Sequence, residues 1–99
     1  MGNRFQKKLS AESRDHLPPL PIPVELWQKV AKSMKLSGQL SRIVEHVLRD
    51  MSDKEIEADM NIRHSTLRTY FDRIKYRYGL RGRTAILRHI LTISHELNA

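Results

Sequence analysis

Residues 51–79 read MSDKEIEADMNIRHSTLRTYFDRIKYRYG, and the way this stretch divides decides the fold. Ser52 and Glu55 stand in the Ser-x-x-Glu pattern of a capping box, which predicts a helix start at that point. Ile56, Met60 and Ile62 mark the buried side of this helix, and Asn61 interrupts it at a position suited to a tight turn. A second, longer helix is expected over about 65–78, with Gly79 as its C-terminal stop. Its apolar stripe is Leu67, Phe71, Ile74 and Tyr78. At roughly 100° per residue, Ser65, Arg68, Thr69, Asp72 and Tyr76 fall on the opposite face, flanked by Arg73, Lys75 and Arg77.

The two helices carry opposite charge. Residues 50–59 hold five acids and one base, whereas residues 63–83 hold seven bases and one acid, within a chain of net charge +7. Adjacent segments of opposite sign suit a molecule that presents one face to a polyanion and turns another away. A short acidic helix, a tight turn and a longer helix with a basic polar face together describe a helix-turn-helix. The second helix of such a motif fits the major groove of double-stranded DNA.

Upstream, Leu40, Ile43, Val44, Val47, Leu48 and Met51 recur at helical spacing, and Leu36 precedes them; this helix should end near Asp50, a residue that tolerates left-handed geometry. Val24, Trp27, Val30, Ala31 and Met34 predict a shorter amphipathic helix with Pro23 at its first position. The LPPLPIP run of residues 17–23 excludes helix and reads as a stiff extended spacer, and the polar residues before it as a mobile tail. Downstream, a last helix is expected to begin near Gly82 as N-cap. Ile86, Ile90, Ile93 and Leu97 form one apolar edge of it, Leu87 and Leu91 another, which suggests contact with the core and with a second copy. The expected organisation is all-α. Residues 1–22 form a flexible, Pro-rich segment, 23–35 a short amphipathic helix, and 36–99 the four-helix helix-turn-helix domain.

Composition limits the function classes. At 99 residues the chain suits one modest core, and 39% hydrophobic with 29% charged residues reads as soluble and globular. No apolar run approaches the ~20 residues of a membrane span, and the N-terminus lacks a signal peptide's apolar stretch, so a cytoplasmic, nucleoid-associated protein without membrane partners is expected. There are no cysteines, and His16, His46, His64, His89 and His95 include no i, i+4 pair, so no metal site is expected. Asp50, Asp53, Glu55, Glu57 and Asp59 have no nucleophile or phosphate-binding loop nearby; they read as a solvated helix face of a non-enzyme without cofactors.

Three ordered motifs carry a resemblance. MSDKEIEADMNI (51–62), STLRTYFDRI (65–74) and YGLRGRTAIL (78–87) resemble, in order and spacing, the LuxR-type (GerE-like) DNA-binding domain, over roughly residues 36–93. The resemblance implies four helices, with 53–60 as scaffold and about 64–78 as recognition helix. It puts Arg68 at the family's recognition lysine and Thr69 at its variable base-reading position. It implies phosphate contacts at Lys54, Thr66, Arg81 and Arg83, and a dimer through the last helix, here Ile86, Leu87, Ile90 and Leu91. The chain departs from the family pattern at Gly38 (usually proline), at Leu40 and Arg42 (commonly a glutamate pair), at Arg63 (usually a Ser or Thr cap), at Tyr70 (usually histidine) and at Asp72 (commonly basic or neutral).

Side-chain chemistry suggests further roles. Arg68 suits bidentate bonds to guanine O6 and N7, and equally a phosphate contact. Thr69 suits a thymine methyl. Asp72 is placed either to accept from cytosine N4 or, four residues after Arg68, to pair with that guanidinium; the pairing is favoured. Arg73, Lys75 and Arg77 would neutralise phosphates. Ser65 lies on the same polar face, and Tyr76 suits a phosphate hydrogen bond. Tyr70 is expected to pack partly on the core, and Trp27 to anchor its helix. The expected partners are double-stranded DNA and a second copy of the chain. Two rival readings are a sigma-factor-like domain bound to RNA polymerase, and a protein-interaction module that keeps the helix-turn-helix fold.

Overall fold

A computed structural model describes residues 17–98; the expected mobile tail before residue 17 lies outside the described residues. Five helices follow one another: α1 (Val24–Ser33), α2 (Gly38–Leu48), α3 (Asp53–Met60), α4 (His64–Tyr78) and α5 (Gly82–Leu97). No strand occurs among the described residues.

Three of the helices end on a residue in the left-handed region that is not glycine. Lys35, Asp50 and Asn61 have φ of 56°, 61° and 54°. In each case the next residue's N–H reaches back five residues: Leu36 to Ala31, Met51 to His46, and Ile62 to Glu57. This satisfies carbonyls that the helix end would otherwise orphan, and it turns the chain sharply. The expectations at Asp50 and Asn61 hold, whereas Lys35 carries no local signal for this geometry. Gly79 closes α4 at φ 71°. The start of α5 differs by one residue from the expectation: Arg81 is the N-cap, and Gly82 is the first helical residue at φ 86°, a value that disfavours any side chain.

One core joins all five helices. Val30 from α1, Ile43, Val44 and Val47 from α2, Ile56 from α3, Leu67 and Ile74 from α4, and Ile86 and Ile90 from α5 are fully buried. Each such side chain contributes about 1.5–3 kcal/mol by leaving water, so the stripes read from the sequence are what hold the helices together. Helix α1 belongs to this core through Trp27, Val30 and Met34, and it packs on α5.

The Pro-rich segment lies against the core as well. Leu17, Leu20 and Ile22 are partly buried on it, and Arg49 donates to the Pro18 carbonyl. Arg49 also donates to Glu45 at 3.0 and 3.1 Å, while the Trp27 indole N–H reaches the other Glu45 oxygen at 3.2 Å. A buried ion pair is tolerable only when its remaining bonding capacity is met. Here the segment, α1 and α2 meet it jointly, so the Pro-rich residues are fastened to the core rather than standing off it as a spacer. Tyr78 adds a bond from the end of α4 to the Met34 carbonyl at 2.9 Å.

Candidate nucleic-acid interface

Helix α4 has a dry side and a wet side. Leu67 and Ile74 are fully buried, and Phe71, Tyr70 and Tyr78 are half-buried. Ser65, Arg68, Thr69, Asp72 and Tyr76 are all exposed, as the wheel predicts, and Tyr76 is 80% accessible. The Thr69 hydroxyl donates to the Ser65 carbonyl at 3.0 Å, which leaves its methyl and lone pairs for a partner. Thr66 and Lys75 are half-buried, and Arg73 and Arg77 exposed.

The favoured Arg68–Asp72 pair does not form. The Asp72 carboxylate has no ion-pair or hydrogen-bond partner among the described residues. Both side chains line one cleft of about 310 Å³ instead, together with Lys75, Arg81, Arg83, Gly82, Phe71 and Asp53. The start of α5 thus closes one flank of α4. Around the helix from that cleft, Arg73, Arg77 and Tyr70 face a second cleft of about 570 Å³, closed by the start of α2 with Ser37, Gly38, Gln39, Leu40 and Arg42.

Helix α3 is fastened behind α4, and three of its four acids do the fastening. Asp53 accepts from Arg83 at 2.6 Å. Glu55 and Ser52 form the capping box in both directions, at 2.8 and 3.2 Å. Its bonds from Ser52, the backbone N–H foremost, hold the Glu55 carboxyl below the usual glutamate range. Glu57 meets His64 Nδ1 at 2.8 Å, and Asp59 meets the buried His46 Nε2 at 2.6 Å. Asp53, Glu57 and Asp59 are therefore ties to α5, α4 and α2 rather than a solvated face, whereas Asp50 and Glu55 stay exposed and Glu55 bonds only the cap of its own helix. Lys54, the base of α3, is exposed and has no partner among the described residues.

Two groups of expected contacts change. Arg83 donates to the Met51 carbonyl and to Asp53, both at 2.6 Å, so it acts first as a strut between α5 and α3, while Arg81 stays exposed. Ile86 and Ile90 are fully buried inside the chain and cannot form a dimer surface as they stand. Their edge of α5 is occupied by the chain's own core, to which α1 contributes. On the other edge Leu91 is 52% accessible and Leu87 half-buried. Arg63 caps α4 without a side-chain bond, because a guanidinium has donors only and cannot accept from the backbone N–H groups of the first turn. Sequence reading missed Arg42 and Gln39 as neighbours of α4, because only the packing of α2 on α4 brings them there.

No helix among the described residues is long and apolar enough to cross a membrane. No family model, no curated protein and no solved structure matches the chain.

Proposed function

We propose that the chain is a sequence-specific, double-stranded DNA-binding regulator of transcription. It inserts α4 into the major groove in the manner of a LuxR-type helix-turn-helix, with α3 as the supporting helix. The observation that carries this reading is the exposed polar face of α4, which lies between two basic clefts and is backed by a helix whose acids are all engaged internally. A helix in the major groove is bordered by phosphates on both sides while its outer face meets base edges. Cations on the flanks and mixed hydrogen-bonding groups at the centre fit that division of labour.

Arg68 is the leading base-reading residue, with Ser65, Thr69, Asp72 and Tyr76 around it. Lys54, Thr66, Arg73, Lys75, Arg77 and Arg81 supply phosphate contacts. Pairing of two copies on adjacent half-sites would use Leu87 and Leu91, the edge of α5 that the core leaves accessible.

Selection of bound duplexes from a random pool, at two salt concentrations, tests the reading. A defined consensus is expected, with affinity falling steeply as salt rises. Arg68→Ala should relax preference at one base step, a loss of roughly 1–3 kcal/mol of discrimination. Uniform weakening on all sequences would make Arg68 a phosphate contact. Absence of duplex binding at about 50 mM salt would sink the proposal.

A further inference from the structure

The second cleft differs from the first in a way that assigns it a ligand. Around the first, four cations share the space with the carboxylates of Asp53 and Asp72, and Arg83 is already bonded to Asp53. Around the second stand Arg42, Arg73 and Arg77, with no acid in the lining. Three guanidinium groups from two helices converge there without a counter-charge.

Two of them are held on that flank by contacts that leave the charge unneutralised. The Arg73 guanidinium lies 5.6 Å from the Tyr70 ring centre, and that of Arg77 lies 5.5 Å from the ring of Tyr78. Arg77 also reaches the Lys35 carbonyl at 3.4 Å. Stacking of this kind orients a guanidinium while leaving its donors for a planar or tetrahedral anion. Ser37 caps α2 without a side-chain bond, so its hydroxyl is a further neutral donor at the rim beside Gln39.

We propose that this cleft seats a phosphodiester of the DNA strand that borders the α2 side of α4, with Arg42 as the contact contributed from outside the helix-turn-helix. The inference rests on the DNA-binding reading and adds to it a second, separate backbone clamp. Successive turns of α4 place Arg73 and Arg77 on one side of the reading face and Arg68 and Lys75 on the other. The strands bordering the major groove would then be held by different clefts: one by Lys75 and Arg81, the other by Arg42, Arg73 and Arg77. Arg42 stands where the LuxR-type pattern commonly has glutamate, so this clamp follows from this chain's own residues and not from the resemblance.

The experiment is fluorescence anisotropy with a labelled duplex of mixed sequence over a range of salt concentrations. It compares the wild type with Arg42→Ala, Arg42→Glu and Arg88→Ala. Arg42 and Arg88 are both exposed, and Arg88 lines neither cleft, so it serves as the control for net charge. Thermal melts establish that each variant is folded. Loss of one phosphate contact should make the slope of log affinity against log salt shallower by about 0.9. Arg42→Ala is expected to show that change equally on duplexes of different sequence, Arg42→Glu a larger loss, and Arg88→Ala none. If wild type binds duplex and Arg42→Ala keeps its slope, or matches Arg88→Ala, the clamp is wrong and the DNA reading stands. If Arg42→Ala changes sequence preference, the cleft reads bases and the phosphodiester assignment fails. If wild type binds no duplex, both fall.

Discussion

Helices α3 and α4 are neighbours in sequence and in space, and both are richly charged. On α3, Asp53, Glu57 and Asp59 each have a partner on another helix, Arg83, His64 and His46, and Glu55 is bonded to Ser52 at the helix's own N-cap. On α4, none of Arg68, Arg73, Lys75 and Arg77 has a carboxylate partner, and neither does Asp72 a cation, among the described residues. One helix spends its charge on position, and the other keeps its charge for the surface. Charge sign, visible in the sequence, separates the two helices; the partners show what each sign is for. The contrast can be broken by neutralising carboxylates on either helix and comparing stability with binding.

The largest effect is expected at Asp59. Its carboxylate meets His46 Nε2, while His46 Nδ1 faces the Arg42 carbonyl, so the buried ring bridges α2 and α3. Asp59→Ala leaves that nitrogen without a partner in a site where the imidazole is 4% exposed. Stranding a buried polar group costs roughly 1–3 kcal/mol, read as a lower urea midpoint at unchanged slope. A variant as stable as wild type would show that the acids of α3 are bystanders.

Ser52 comes next. Removing its hydroxyl by Ser52→Ala takes away half of the capping box, at a cost of about 1 kcal/mol, measurable in the same denaturation series. The other half is pH-dependent. The Glu55 carboxyl titrates lower in the folded chain than in the unfolded one. Its contribution is therefore complete above the unfolded carboxyl's pKa and is lost as pH falls through the folded one. Glu55→Gln should flatten the stability–pH curve across that acid window. A curve that keeps its wild-type shape would remove Glu55 from the cap.

The helix boundaries around α3 and α4 were legible because capping boxes, Asn61 and Gly79 act through neighbours in sequence. The wet face of α4 was legible for the same reason: helical periodicity alone sorts Ser65, Arg68, Thr69, Asp72 and Tyr76 from Leu67 and Ile74. What could not be read is what depends on distant pairs. Nothing local to Asp59 points to His46, and nothing in a proline run says that Arg49 will bond the Pro18 carbonyl. The two apolar edges of α5 suggested a second copy, but one of them is buried in a core that α1 shares with α5. The tools of periodicity cannot distinguish burial within a chain from burial between chains, since both ask for the same apolar stripe. Lys35 illustrates a further limit, because nothing in its side chain signals the left-handed turn that the Leu36 N–H bond to the Ala31 carbonyl closes.

The smallest change in stability and the sharpest test of the contrast both lie at Asp72. It is exposed on the reading face, unpartnered, and beside Arg68 in the first cleft. Asp72→Asn keeps the shape and removes the charge. Because no native interaction is lost, stability should stay within about 0.5 kcal/mol of wild type, unlike the loss at Asp59. Binding should move the other way. A carboxylate facing phosphates opposes association, so its removal should tighten binding to every duplex, by more at low salt than at high salt. Anisotropy with several duplexes at two salt concentrations reads this directly. Tighter binding without change in preference would show that α4 tolerates Asp72 as an unspent charge. Weaker binding confined to sites with a cytosine at one position would show instead that Asp72 accepts from its N4 amino group, and that this acid, unlike those of α3, is used for reading.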